Sequence, residues 1–154
     1  DRREASVANA LESLAGRAHD IDWVIVHDAA RPCLESEDLA RLFRATRNDP
    51  VGGLLAVPVA DTLKCDDGHG RSARTAVREG LWRALTPQMF RYGLLKRALA
   101  LCLERERDIT DEASAIEMLG LRPLLVRGRA DNIKLTNVED RRIAEAIMRS
   151  GRKR

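Results

Sequence analysis

Trp23-Val24-Ile25-Val26-His27-Asp28-Ala29-Ala30-Arg31-Pro32 begins with four apolar, largely β-branched residues and turns polar in a single step. A short continuous apolar run of this kind predicts a strand buried on both faces of a layered α/β sheet, and the polar decapeptide half is the loop that leaves it. Upstream, Ser6 followed by Val7, Ala10, Leu11 and Leu14 predicts a helix capped by Ser6 and stopped at Gly16. Downstream, Ser36 is expected to cap a helix carrying Leu39, Leu42 and Phe43. After Asp49-Pro50 and two glycines, Leu54-Leu55-Ala56-Val57 predicts a second buried strand. Strand, helix, strand is the pattern of an α/β fold.

From Asp61 to Gly80 the chain changes character. Asp66-Asp67-Gly68-His69-Gly70 is turn chemistry, and its flanks Thr62-Leu63-Lys64 and Arg74-Thr75-Ala76-Val77 are too polar to fill a core. This predicts a hairpin arm over 61–80, which needs something to pack on, most simply a second copy of the chain. Leu81 to Leu85 is expected to resume the sheet, Tyr92 to Glu106 to form an amphipathic helix through Leu95, Leu99 and Cys102, and a shorter helix to follow Thr110-Asp111 and end at Gly120. Leu124-Leu125-Val126 and Ile133-Lys134-Leu135 read as strands, and Thr136-Asn137-Val138-Glu139 as a capping box for the last helix.

The 154 residues, 44% hydrophobic and 33% charged, suit one globular domain over 1–154 with a real core. There is no apolar run of the roughly 20 residues that a membrane span needs, and Asp1-Arg2-Arg3-Glu4 does not resemble a signal peptide, so a cytoplasmic location and no membrane partner are expected. The chain does not begin with Met, and sequence upstream of Asp1 is expected. Cys33, Cys65 and Cys102 are odd in number and widely spaced, which argues for reduced thiols over disulfides or zinc. A net charge of +3 and only five aromatic residues give little to a nucleic acid; the basic end Arg149, Arg152, Lys153, Arg154 reads as a solvated terminus.

Ligands in open α/β sheets bind beyond the carboxyl ends of strands, which puts Asp28 and Arg31 first among candidates. Asp28 can hold a divalent cation or cap a turn, and Arg31 can grip phosphate or polyol oxygens or make a structural salt bridge; spacing does not choose. Lys134 follows a loop of small and charged residues, 127–132, and is either a point charge for phosphate or a solvated edge lysine. Arg78 on the arm carries the same ambiguity, and Thr62 and Thr110 are weaker candidates that also suit surface and cap positions. His27 has no serine or cysteine partnered to it by a local motif and reads as structural. No Gly-rich phosphate loop occurs.

Five segments in this order, 27–32 (HDAARP), 61–64 (DTLK), 80–88 (GLWRALTPQ), 109–114 (ITDEAS) and 128–134 (GRADNIK), resemble the 2-C-methyl-D-erythritol 4-phosphate cytidylyltransferase family over nearly the whole chain. The resemblance implies a Rossmann-like nucleotidyltransferase fold, three layers αβα around a mostly parallel mixed sheet, with the arm serving dimerisation and the N-terminal strands missing. It implies transfer of CMP from CTP to methylerythritol phosphate, with Mg2+ bridging the triphosphate. Matching residue by residue, Arg78 and Lys134 would aim the attacking phosphate with Thr62. Ala29, Arg31, Thr110 and, more weakly, Asp131 would contact the polyol. Asp28 would lie at the metal and nucleotide, and Asp1 and Ser6 would face the cytidine. In the implied homodimer, Thr62 and Arg78 would reach the partner's site. The family's N-terminal Gly-rich loop has no counterpart in this chain, so the fragment alone is expected to be inactive and poorly stable. Two rivals remain: a cytidylyltransferase for another polyol or sugar phosphate, and a non-catalytic dimerisation module.

Overall fold

The computed structural model describes residues 3–151, with side chains described from Ala5 onward. The order is α1 (Arg3–Glu12), β1 (Trp23–Val26), α2 (Ser36–Thr46), β2 (Gly52–Pro58), β3 (Lys64–Asp66), β4 (Ser72–Thr75), β5 (Trp82–Arg91), α3 (Tyr92–Glu104), α4 (Glu112–Met118), β6 (Leu124–Arg127) and α5 (Val138–Gly151). Four strands form one sheet in the order β1-β5-β2-β6, and β3 with β4 forms a separate two-stranded ribbon. β5 is antiparallel to both neighbours while β2 and β6 are parallel, so β1, β2 and β6 share one direction and only β5 is reversed.

Alternation along the strands divides two apolar layers. Leu54, Phe90, Val24 and Val26 meet α1, α3 and α4 through Leu11, Leu95, Leu99 and Ile116. Leu55, Met89, Val126 and Trp23 face the other way, onto Leu42 of α2. Helices on both faces of a mixed sheet are the expected three layers. β1 sits at the end of the described sheet, and Ile25 is 44% exposed, so this strand is not buried on both faces as its composition predicted.

Other expectations also need correction. Ser6 lies inside α1, which begins at Arg3, and the N-cap of α2 is Glu35 rather than Ser36. The cap of α5 is displaced by one residue: the Asp140 carboxylate accepts from the backbone N–H groups of Thr136 and Asn137, both at 2.8 Å, in place of Glu139. These two bonds hold the Asp140 carboxyl below its ordinary pKa. Residues 133–135 form no strand; Leu135 N–H bonds the Ala30 carbonyl at 2.8 Å and ties that segment to the 27–32 loop. β5 runs on past Leu85, through Pro87, because its ladder to β2 shifts register between Leu54 and Ala56 and asks no N–H of that proline.

The arm is exposed nearly throughout. Its turn is held by its own carboxylates: Asp66 Oδ1 accepts from Gly68 and Gly70 N–H, and Asp67 Oδ1 from His69 and Arg71 N–H. Gly68 and Gly70 have positive φ, 89° and 76°, the backbone that lets the turn close.

Candidate active site

The carboxyl ends of β1 and β6, the reversed start of β5 and the N-terminus of α4 meet at one end of the sheet. There they enclose a cleft of about 230 Å³ lined by Asp28, Arg31, Thr86, Gln88, Thr110 and Lys134, among others. Asp28 and Arg31 come from the loop after β1, Thr86 and Gln88 from β5, Thr110 from the approach to α4, and Lys134 from the loop after β6. This is the position where α/β sheets bind ligands.

Asp28 is the electrostatic centre. Its Oδ2 lies 3.1 Å from Lys134 Nζ and 3.7 Å from Arg31 Nε, and its side chain is 17% exposed. Arg31 is fixed further by donation from Nη1 to the Asn132 carbonyl at 2.9 Å. Burial pulls the Arg31 guanidinium below its usual pKa, Asp28 opposes that and Arg83 adds to it. Arg31 and Lys134 bring two positive charges to a lining that also holds the Asp28 and Asp111 carboxylates, so the formal charges balance, and these two cations are the donors the cleft offers to an anionic ligand.

Behind these groups stands a hydrogen-bonded frame. Asp28 N–H donates to Thr86 Oγ1 at 3.0 Å, and Thr86 Oγ1 is 2.9 Å from His27 Nδ1. Asn132 is fully buried, and its Nδ2 donates to the Thr86 carbonyl at 2.8 Å. Gln88, also buried, donates to Asp111 Oδ2 at 2.9 Å and accepts from Ala113 N–H at 2.8 Å, locking the start of α4 to β5. Asp111 caps α4 in a reciprocal box with Ser114. The 128–134 loop is anchored by Arg129, which binds the buried Asp38 through Nε at 2.9 Å, Glu35, and the Cys33 carbonyl at 3.0 Å. Burial lowers the Arg129 pKa, but Asp38, Asp131 and Glu35 outweigh it and the net direction is upward.

Of the residues singled out in the sequence, Asp28, Arg31, Thr110 and Lys134 converge on the cleft. Ala29 is exposed in the same loop without lining it. Asp131 turns toward Arg129, 3.4 Å away, and also does not line the cleft. Thr62 and Arg78 stay on the exposed arm, Arg78 bonded to the Ala60 carbonyl, and neither lines this chain's own cleft. Ser6 is exposed on α1, away from the lining, and Asp1 lies outside the described residues. Sequence reading missed Thr86, Gln88 and Asn132. A Thr-Pro-Gln step after an apolar run looks like the end of a strand, whereas the bulge carries the strand onward and turns these side chains to the cleft and its frame.

Among the described residues no three His, Cys, Asp or Glu side chains converge to hold a metal. Asp28 is a carboxylate of the kind that fits Mg2+, which binds through one or two carboxylates and takes its remaining ligands from phosphate and water. Asp111, the other carboxylate of the lining, is taken up with Gln88 and the start of α4. No helix among the described residues is long and apolar enough to cross a membrane.

The family described as IspD, 2-C-methyl-D-erythritol 4-phosphate cytidylyltransferase, matches residues 1–150. A curated relative of that name from Dechloromonas aromatica is 55% identical over 148 residues, 96% of this chain and 63% of the relative. A crystal structure of 4-diphosphocytidyl-2C-methyl-D-erythritol synthase superposes with TM-score 0.88 at 49% identity, covering 96% of this chain and 68% of the other. The Francisella tularensis 2-C-methyl-D-erythritol 4-phosphate cytidylyltransferase gives 0.87 at 36% identity, over 94% and 67%. The chain spans about 60% of the length of curated relatives it matches.

Proposed function

The chain belongs to the 2-C-methyl-D-erythritol 4-phosphate cytidylyltransferase family, and from that premise we propose that the protein carrying it transfers CMP from CTP to 2-C-methyl-D-erythritol 4-phosphate in non-mevalonate isoprenoid biosynthesis. A phosphate oxygen of the polyol attacks the α-phosphorus of CTP, the bond from that phosphorus to the bridging oxygen of the β-phosphate breaks, and pyrophosphate leaves. The observation that carries the reading is the convergence of Lys134 and Arg31 on Asp28 at the carboxyl end of the sheet.

Lys134 would aim the attacking phosphate as a point charge, and Arg31 with Ala29 and Thr110 would hold the polyol, with Asp131 a weaker contact. Asp28 would hold Mg2+ beside the nucleotide, and Ser6 and Asp1 would face the cytidine. The metal, when bound, supplies charge neutralisation on the triphosphate. Two polyanions must be brought together without a covalent intermediate, so positioning and cationic stabilisation are the chemistry asked of these residues. Thr62 and Arg78 would complete the site from a partner subunit, the arm being the dimer contact; that neither lines this chain's own cleft supports that arrangement. The three free cysteines suit a reducing cytoplasm.

The test is pyrophosphate release from CTP, Mg2+ and the polyol phosphate by the full-length protein. Lys134→Ala should lose about 10- to 100-fold in kcat/KM for the polyol phosphate, the worth of a charge-assisted contact. A parent protein that binds neither CTP nor the polyol phosphate would sink the proposal.

A further inference from the structure

His27 makes no contact with the cleft in its own right, yet both of its ring nitrogens are committed. Nε2 lies 3.1 Å from the Arg31 carbonyl, and Nδ1 lies 2.9 Å from Thr86 Oγ1. A carbonyl oxygen only accepts, so Nε2 must carry a proton to bond it, and in a neutral imidazole Nδ1 is then the bare acceptor. The opposite tautomer would set the Nε2 lone pair against the Arg31 carbonyl oxygen.

The consequence falls on Thr86. Its hydroxyl has one proton and two lone pairs. The proton goes to His27 Nδ1, and one lone pair accepts from Asp28 N–H at 3.0 Å. What remains is one lone pair, on a residue that lines the cleft and is only 3% exposed. We infer that His27 is a positioning residue which fixes Thr86 as a hydrogen-bond acceptor, so that Thr86 reads a hydroxyl group of the substrate rather than its phosphate.

The division of labour is chemical. Ionised phosphate offers only acceptor oxygens, and it is met by the donors Lys134 and Arg31. A polyol hydroxyl can donate, and the Thr86 lone pair is a place for that donation. This deepens the polyol phosphate reading and rests on it for the identity of the hydroxyl. The tautomer itself does not depend on that reading.

Imidazole nitrogen-15 NMR of the full-length protein at mildly alkaline pH tests the tautomer directly, the His27 signal being assigned by its loss in His27→Asn. The Nε2–H form is expected; an Nδ1–H form overturns the inference. Binding supplies the second arm. Thr86→Val should weaken methylerythritol 4-phosphate by about five- to tenfold while leaving inorganic phosphate unchanged. His27→Leu should reproduce that selective loss, and His27→Asn, whose carboxamide oxygen can take the Nδ1 position, should recover most of it. Equal weakening of both ligands would overturn the assignment of Thr86 to a hydroxyl. A parent protein that binds inorganic phosphate but no polyol phosphate would count against the cytidylyltransferase reading alone, and the tautomer would still decide the relay.

Discussion

Replacing Arg129 with methionine should destabilise the protein by about 2–3 kcal/mol. The Asp38 carboxylate has no exposed surface, and its two cations are Arg129, with Nε at 2.9 Å, and Arg41, with Nη1 at 3.3 Å. With charge centres about 4 Å apart, each attraction is worth about 4 kcal/mol at an effective dielectric constant near 20. Arg129→Met removes the first and also the donor to the Cys33 carbonyl. Two effects reduce the loss: Arg41 stays, and Arg129 is 26% exposed, so water can reach the vacated space. The position of Asp38 in the first turn of α2, where the helix dipole favours a negative charge, reduces it slightly more. The result falls below the roughly 3–5 kcal/mol of a fully dry broken pair. For a protein of this size it corresponds to about 5–10 °C in Tm, readable by urea and thermal unfolding. The double variant Asp38→Leu, Arg129→Met should recover much of the loss, because no buried charge is then left uncompensated. A loss below about 1 kcal/mol, or a double variant as unstable as Arg129→Met alone, would refute the reasoning.

In the proposed homodimer, mixing Arg78→Ala subunits with Lys134→Ala subunits should restore about a quarter of parental activity, since half of the dimers would be mixed and each of those would have one intact site if Arg78 serves its partner; no recovery would contradict a partner-serving Arg78. Gly53→Ala should cost about 1–3 kcal/mol, measured by urea unfolding, because its new Cβ would come within 2.5 Å of the Leu124 carbonyl oxygen across the β2–β6 pairing. Asp140, whose folded pKa lies below the ordinary 3.8, should stabilise the start of α5 fully above that value and lose the contribution as pH falls below it. Hydrogen exchange or circular dichroism of α5 across that range reads this, and an Asp140→Ala variant with the same acid profile as the parent would contradict it.

Much of the fold was legible because periodicity is local. The β-branched run at 23–26, the apolar face of 92–104 and the turn residues at 66–70 each carry their structure in neighbouring residues, and each element formed where expected. Caps were legible only to within a few residues. Ser6 lies inside a helix that already begins at Arg3, Ser36 yields the N-cap position to Glu35 through the backbone with no side-chain bond, and between Glu139 and Asp140 the packed helix directs Asp140 at the free N–H groups. The strand past Leu85 was hidden because a proline ends most strands, and only the partner strand's register shift removes the demand for its missing donor.

By itself the sequence determined the layered α/β class, the exposed arm and the order of the motifs, and through those motifs it named the polar residues that gather at the strand ends. Tertiary structure alone decided which of these share a cleft, since Asp28 and Lys134 are 106 positions apart in the chain and 3.1 Å apart in space. It also decided that Thr86, His27, Asn132 and Gln88 form the frame behind them. A hydrogen bond between distant residues depends on the direction of two backbones meeting in three dimensions, and nothing in the local pattern of either segment records the other.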